Sequence, residues 1–195
     1  MPNLNKNHPL FEQNPHYLER FQQFEQKIYH LAQQAKIVLA QYEIDHLAIR
    51  VNHLLNAQQW QQSLIKCGRI LSKNFVNGRP IVLFELTQPL LFAEQKVSII
   101  ELPYPKDKQY PQQGWEHIEI IFPFLPREST VNWLERVEKQ FLWNQSSQLK
   151  VKISEPKVEG EQLANPSVAV SLKDNTDNHC CIKVHPYHIK QIIEV

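Results

Sequence analysis

Two short stretches of the chain open with an acid followed by a histidine: Asp45-His46-Leu47-Ala48-Ile49-Arg50-Val51 and Glu116-His117-Ile118-Glu119-Ile120-Ile121-Phe122. An imidazole offers a nitrogen donor to a divalent metal or carries a proton near neutral pH, and two imidazoles on matching frames can serve one centre. Apolar residues then fall on every second position. Successive side chains of a strand point to opposite faces, so Leu47, Ile49 and Val51 share one face and His46, Ala48 and Arg50 the other. Likewise Ile118, Ile120 and Phe122 stand opposite His117 and Glu119. A single strand histidine is usually packed or solvated, whereas a matched pair in repeated strands favours a shared site. Each stretch is followed by a helix-like segment and further strands, an internal duplication with a period of roughly 70 residues.

The elements that must position these residues follow from pattern and punctuation. Residues 1–13 read as a polar arm broken by Pro2 and Pro9. Asn14-Pro15 is a helix-opening pair, and Leu18, Phe21, Ile28, Leu31, Ala35, Leu39 and Tyr42 keep a helical stripe over 15–42, as one helix or a broken pair. After the first histidine strand, Asn56 is a cap candidate for a helix carrying Trp60, Leu64 and Cys67, which Gly68 closes. Strands follow from Ile70, over 81–86 and over 97–102, with Asn77-Gly78 as a hairpin turn. Residues 103–114 read as a linker rich in Pro, Lys, Gln and Gly. The second half repeats the plan: a strand at 115–122, a helix over about 129–143, strands near 149–154, 167–172 and 180–185, and a polar loop at 155–166.

Composition sets the outer limits. The 195 residues carry a formal net charge of +1, which gives no bulk electrostatic case for nucleic acid or an anionic membrane. Cys67, Cys180 and Cys181 lack the spacing of a disulfide framework or of a Cys-x-x-Cys zinc site, which favours reduced thiols and a cytoplasmic location. No stretch has the length and apolarity of a membrane span or a signal core. A phosphate loop, a nucleophile elbow and a helical His-Glu-x-x-His motif are all missing from the sequence.

A duplicated β-α-β-β-β unit with a histidine at the start of each half resembles the vicinal oxygen chelate superfamily, which includes glyoxalase I, extradiol dioxygenases and bleomycin-resistance proteins. The segments Asn77-Gly78-Arg79-Pro80-Ile81, Ile100-Glu101-Leu102-Pro103-Tyr104-Pro105 and Gly114-Trp115-Glu116-His117-Ile118-Glu119-Ile120 are similar to the bacterial YecM family, whose members are described as metal-binding proteins of this fold. The resemblance runs from about residue 10 to the end. It implies an α+β fold in which two βαβββ modules, 43–105 and 114–195, form a cup-shaped mixed sheet within one domain over 43–195. An added N-terminal arm and helix covers 1–42.

Superfamily ligands sit on the first and last strands of each module. The resemblance therefore implies His46, His117 and Glu101 as metal ligands, with the last strand of module two supplying a fourth. That strand, Ile182-Lys183-Val184-His185-Pro186, holds no acid, and alternation turns Lys183 and His185 into the cup. His185 is then the better candidate, since a protonated lysine is a poor ligand. Two imidazoles and a carboxylate suit Zn(II), Ni(II), Mn(II) or Fe(II). Arg50 and Glu119 share the histidine faces. They read either as a structural pair or as substrate handlers, with Arg50 gripping an anion and Glu119 moving a proton. Arg79 reads as solvated, and Trp115 and Tyr104 as packing residues that could also wall the cup.

The implied function is a metal-dependent isomerase, lyase or oxygenase acting on a small molecule with adjacent oxygens. The alternative is a non-catalytic binding protein of the bleomycin-resistance type. Partners are then a small-molecule ligand, with no nucleic acid and no membrane, in a monomer or homodimer.

Overall fold

The computed structural model describes residues 5–76, 78–155 and 163–193. Eight strands form one mixed sheet: β1 (Ile44–Arg50), β2 (Gly68–Val76), β3 (Arg79–Phe92), β4 (Gln95–Pro103), β5 (Gly114–Ile121), β6 (Leu149–Ser154), β7 (Ser167–Leu172) and β8 (Cys181–His185). Their spatial order is β2-β3-β4-β1-β5-β8-β7-β6. The order reads as one four-strand module and then its mirror. In each, the first strand pairs in parallel with the last, β1 with β4 and β5 with β8, and β1 meets β5 antiparallel at the centre. The helices are α1 (Pro9–Glu12), α2 (Pro15–Gln34), α3 (Leu54–Cys67), α4 (Thr130–Phe141) and α5 (Ile189–Ile193). No helix among the described residues is long and apolar enough to cross a membrane.

The periodic residues account for the packing. The α2 stripe is buried, with Phe21, Ile28 and Leu31 fully covered. Phe21 and Phe24 meet Phe92 at 5.5 and 5.0 Å between ring centroids, and Phe21 meets Trp115 at 5.1 Å. Each such side chain contributes about 1.5–3 kcal/mol by leaving water. Asn14 Oδ1 accepts from the His16 amide at 3.0 Å and Pro15 holds the first turn, so the cap lies where the sequence places it. In module two, Ser129 caps α4 and Trp133, Val137 and Phe141 form its buried stripe.

Three local expectations are corrected. Residues 9–12 are not an arm: Pro9 sits in the first turn of a helix, and Leu10 and Phe11 are buried. The cap of α3 is His53 rather than Asn56, whose side-chain amide instead donates to Gln113 Oε1 at 3.0 Å. Strand β3 runs past Leu86 as far as Phe92, and an irregularity in its pairing with β4 between Glu85 and Leu90 accommodates Pro89. Its turn into β4 uses Ala93 and Glu94, both at positive φ, with no glycine to announce it. At the hairpin between β2 and β3, Gly78 has φ 76°, while Asn77 lies outside the described residues, as does most of the 155–166 loop. Gly68 has no room for a side chain, because a Cβ there would lie 2.1 Å from the Glu85 carbonyl oxygen.

Candidate metal centre

The antiparallel pairing of β1 and β5 carries two bulges related by the duplication. Between Ile44↔Ile120 and His46↔Glu119, Asp45 is the extra residue; between Ala48↔His117 and Ile49↔Trp115, it is Glu116. A bulge re-aims a side chain that strict alternation would send to the opposite face. Each acid thereby reaches the ring of the histidine that follows it. Asp45 Oδ2 lies 2.8 Å from His46 Nδ1, and Glu116 Oε2 holds His117 Nδ1 in the same way. A carboxylate on Nδ1 keeps a proton there and turns Nε2 toward the cup, so that Nε2 is the atom from which a metal would displace a proton. Despite its burial, Glu119 and Asp45 raise the metal-free His46 imidazole well above its ordinary value.

The two Nε2 atoms converge. His46, Glu101 and His117 each present a donor atom within 4.8 Å of the others. His46 Nε2 lies 3.9 Å from Glu101 Oε2, and His117 Nε2 lies 3.8 Å from Glu101 Oε1. Glu119 Oε1 stands between them, 3.6 Å from His46 Nε2 and 3.3 Å from His117 Nε2. Both histidines are buried, and neither Nε2 has a hydrogen-bond partner. Donors at about 2.0–2.2 Å from one ion lie roughly 3–3.6 Å from each other, so these spacings need only a small contraction to hold a divalent metal. A buried imidazole nitrogen without a partner is otherwise unfavourable, and coordination satisfies it. The donor set fits the metal.

Charge around the centre is tightly paired. Burial raises the Glu119 carboxyl, but Lys183, with Nζ at 2.7 Å, and His46 more than reverse this and hold it well below the usual range. Burial likewise works against charge on Lys183, yet Glu119 and Glu101 keep it protonated. The Glu116 carboxyl is brought down to about 2, because His117 and Arg50 overcome its burial. Asp45 is held below the usual range by the His185 and His46 imidazoles against its own burial. It also accepts from the Ile189 amide of α5 at 3.1 Å and faces His188 Nε2 at 3.3 Å.

Register identifies corresponding positions in the two modules. Glu101 of β4 pairs with Ala48, and Lys183 of β8 pairs with Glu119. Since Ala48 and Glu119 exchange places under the β1–β5 pairing, Lys183 is the counterpart of Glu101. The acid missing from the last strand of module two is therefore present one strand over, as Glu119, with a lysine in the vacated position.

The structure brings His46, His117, Glu101 and Glu119 together. His185 also faces the cup, but its Nε2 lies 3.3 Å from Asp45 Oδ2 and its Nδ1 3.6 Å from Glu119 Oε2, outside the His46–Glu101–His117 group. Arg50 and Glu119 do not pair. Arg50 Nη2 binds Glu116 Oε1 at 2.8 Å, with its guanidinium 3.9 Å from the Tyr110 ring centroid, while Glu119 takes Lys183. The bulge decides this by turning Glu116 to the Arg50 side. Tyr104 donates to Gln61 of α3, and Trp115 packs beneath α2, so neither walls the cup. Tyr110 does so instead, and Arg79 lines the cavity as well. Asp45 and Glu116 escaped the sequence reading, although both precede the repeated histidines. Cys181 lies beside Glu116 and His117, but burial pushes its thiol well above the usual range, which disfavours the thiolate a metal needs.

These groups sit on the floor of a cavity of about 410 Å³ that both modules line. Two βαβββ modules close one cup in a single eight-strand mixed sheet, with paired histidines on the first strands and an acid on the last strand of module one. The chain belongs to the YecM family, whose model, described as YecM protein, matches residues 13–195. An uncharacterized Haemophilus influenzae protein is 59% identical over 170 residues, covering 87% of this chain and 88% of the relative. Protein YecM of Escherichia coli is 40% identical over 149 residues, covering 76% of each. A solved structural-genomics structure, protein EC4020, superposes with a TM-score of 0.75 at 32% identity, covering 92% of this chain and 91% of that one.

Proposed function

We propose that the cup binds one divalent metal through His46 Nε2, His117 Nε2 and Glu101, and that the protein is a metal-dependent enzyme for a small substrate with adjacent oxygens. The observation that carries this reading is the pair of buried Nε2 atoms, each unpartnered, each with its Nδ1 held by a bulge carboxylate. Zn(II), Ni(II), Mn(II) and Fe(II) all accept this donor set. A bound ion would supply Lewis acidity to the two substrate oxygens.

The chain's own residues do the rest. Asp45 and Glu116 orient the imidazoles and keep their protons on Nδ1. Glu119 is the proton-moving group, with Oε1 at the centre and Oε2 toward His185. Lys183 holds it ionised and in place. Arg50 reaches an anionic substrate group only with the donors that Glu116 leaves free. In its observed position His185 braces Asp45 and Glu119, and it is the weakest of the ligand candidates.

Calorimetric titration of Zn(II), Ni(II), Mn(II) and anaerobic Fe(II) into metal-free protein tests the reading. One equivalent should bind the parent, and the His46→Ala/His117→Ala double variant should bind none. Glu119→Gln should keep the metal and lose turnover. If the double variant binds metal like the parent, the cup is a metal-free pocket and the proposal falls.

A further inference from the structure

The cup wall of module two carries polar groups that the metal centre does not use. Ser167 Oγ and Asn165 Oδ1 are buried without a hydrogen-bond partner, in residues only 5% and 8% exposed, and both residues line the cavity. Ser72 Oγ, across the cavity on β2, is also unpartnered. Isolated buried hydroxyl and amide oxygens are costly, and in a cavity wall a ligand that donates or accepts hydrogen bonds removes the cost.

Comparison of the two walls shows where such a ligand is expected to lie. In module one Leu83 stands opposite Glu101 and Ser72, and Ile81 opposite Asn74. In module two the corresponding positions are Ala169, opposite Lys183 and Lys152, and Ser167, opposite Ser154. The duplication has therefore replaced a leucine by alanine, an isoleucine by serine and a serine by the lysine of β6. On the penultimate strands the contrast is sharp: Ile81 and Leu83 fill the module-one side, with Ser72, Asn74 and Arg79 around them, whereas Ser167 and Ala169 leave the module-two side more open and more polar, with Lys152 beside them. The Lys152 side chain is exposed at the cavity rim and has no carboxylate partner among the described residues.

From this asymmetry we infer that the substrate is a small hydroxylated oxyanion, a sugar acid or sugar phosphate in type, bound with its hydroxyls on Ser167 and Asn165 and its anionic group toward Lys152. The inference deepens the proposed function, because the same cup holds the metal. Ser167 supplies both a donor and an acceptor, and Asn165 Oδ1 requires a donor, which a substrate hydroxyl is and a fatty chain is not. Lys152 draws the charge to the module-two rim, beside the hydroxyl-binding groups, while Arg79 is the competing cation on the module-one side. The Ile81 and Leu83 side chains then face the substrate's less polar edge. A cavity of about 410 Å³ lies in the range that holds a ligand of this size.

The test uses the full-length protein with one equivalent of zinc and no free metal, titrated calorimetrically with gluconate, glucose 6-phosphate, glucose and hexanoate. Gluconate or glucose 6-phosphate should bind at least about tenfold tighter than both glucose and hexanoate, because only they combine hydroxyls with charge. Lys152→Ser, an exposed change that copies module one, should remove most of that advantage while leaving zinc stoichiometry intact. Asn165→Ala should weaken the hydroxylated anions by about fivefold and leave hexanoate unchanged. The inference is overturned if hexanoate binds as tightly as the hydroxylated anions, or if neither substitution changes the preference. Failure of the metal reading gives a different result: the parent then takes up no zinc, yet gluconate or glucose 6-phosphate still binds it in a Lys152-dependent way.

Discussion

Module one and module two share a frame and divide its work. On the frame they agree residue by residue: an acid in a bulge, a histidine after it, an apolar residue on the pseudo-twofold axis where Leu47 meets Ile118, and a last strand alongside. On the last strand they part, Glu101 in one and Lys183 in the other, and the carboxylate of module two moves to Glu119. The positions closest to the two-fold keep the paired geometry that the proposed shared ion would need. The positions further out were free to differ, because each faces the cavity from one side only. On the proposed reading, a duplicated cup would thus keep a symmetric metal centre while recognising an asymmetric substrate.

The largest effect tests the symmetric part. His46→Ala and His117→Ala should each abolish stoichiometric metal binding, with comparable loss of affinity, since the two rings stand in equivalent places; retention by one variant alone would show that only one module ligates. The next sharpens the asymmetric part. Lys183→Met leaves Glu119 buried without its cation, which costs about 3–5 kcal/mol in metal-free protein. Lys183→Met with Glu119→Gln removes both charges and should recover most of that loss in urea denaturation. If the double variant is no more stable than the single, the two side chains are not an energetic pair. Smaller again are the supports behind the histidines: Asp45→Asn and Glu116→Gln should each weaken metal binding by about 10- to 100-fold. Asp45→Asn should also lower stability more, because Asp45 further serves His185, His188 and the start of α5.

The frame was largely legible in the sequence, and the reason is period. The alternation in β1 and β5 marks the strands, the repeat marks the modules, and Glu101 comes from the family resemblance of its last-strand segment. The bulges were not legible, because an extra residue breaks the very alternation used to read a strand. Asp45 and Glu116 thus receive no role from the pattern, and Arg50 is given Glu119 as a candidate partner. Helix α5 was missed because Ile189–Ile193 is too short for a helical stripe to show, although it closes the cup with Ile189 and Ile192. The exchange of Glu101 for Lys183 was visible as a missing acid, but only register shows that Glu119 stands in for it.

The last expectation concerns acid stability of the metal-free protein. An unfolded glutamate titrates near about 4.3, whereas Glu116 in the folded chain is held down to about 2 by His117 and Arg50. A depressed carboxyl stabilises the folded state above its unfolded value, and that contribution is lost as pH falls toward the folded value. Glu116 should therefore contribute on the order of 2–3 kcal/mol at pH 6, declining between about pH 5 and pH 2. Asp45 is depressed as well, through a larger set of partners, so module one should keep its share to lower pH than module two. Urea denaturation at stepped pH in the presence of a chelator separates the two. Glu116→Gln should flatten the upper part of the acid limb, and Asp45→Asn the lower part. Identical flattening by both would mean that the two carboxylates titrate as one network across the β1–β5 seam, and that the modules are less independent than their geometry suggests.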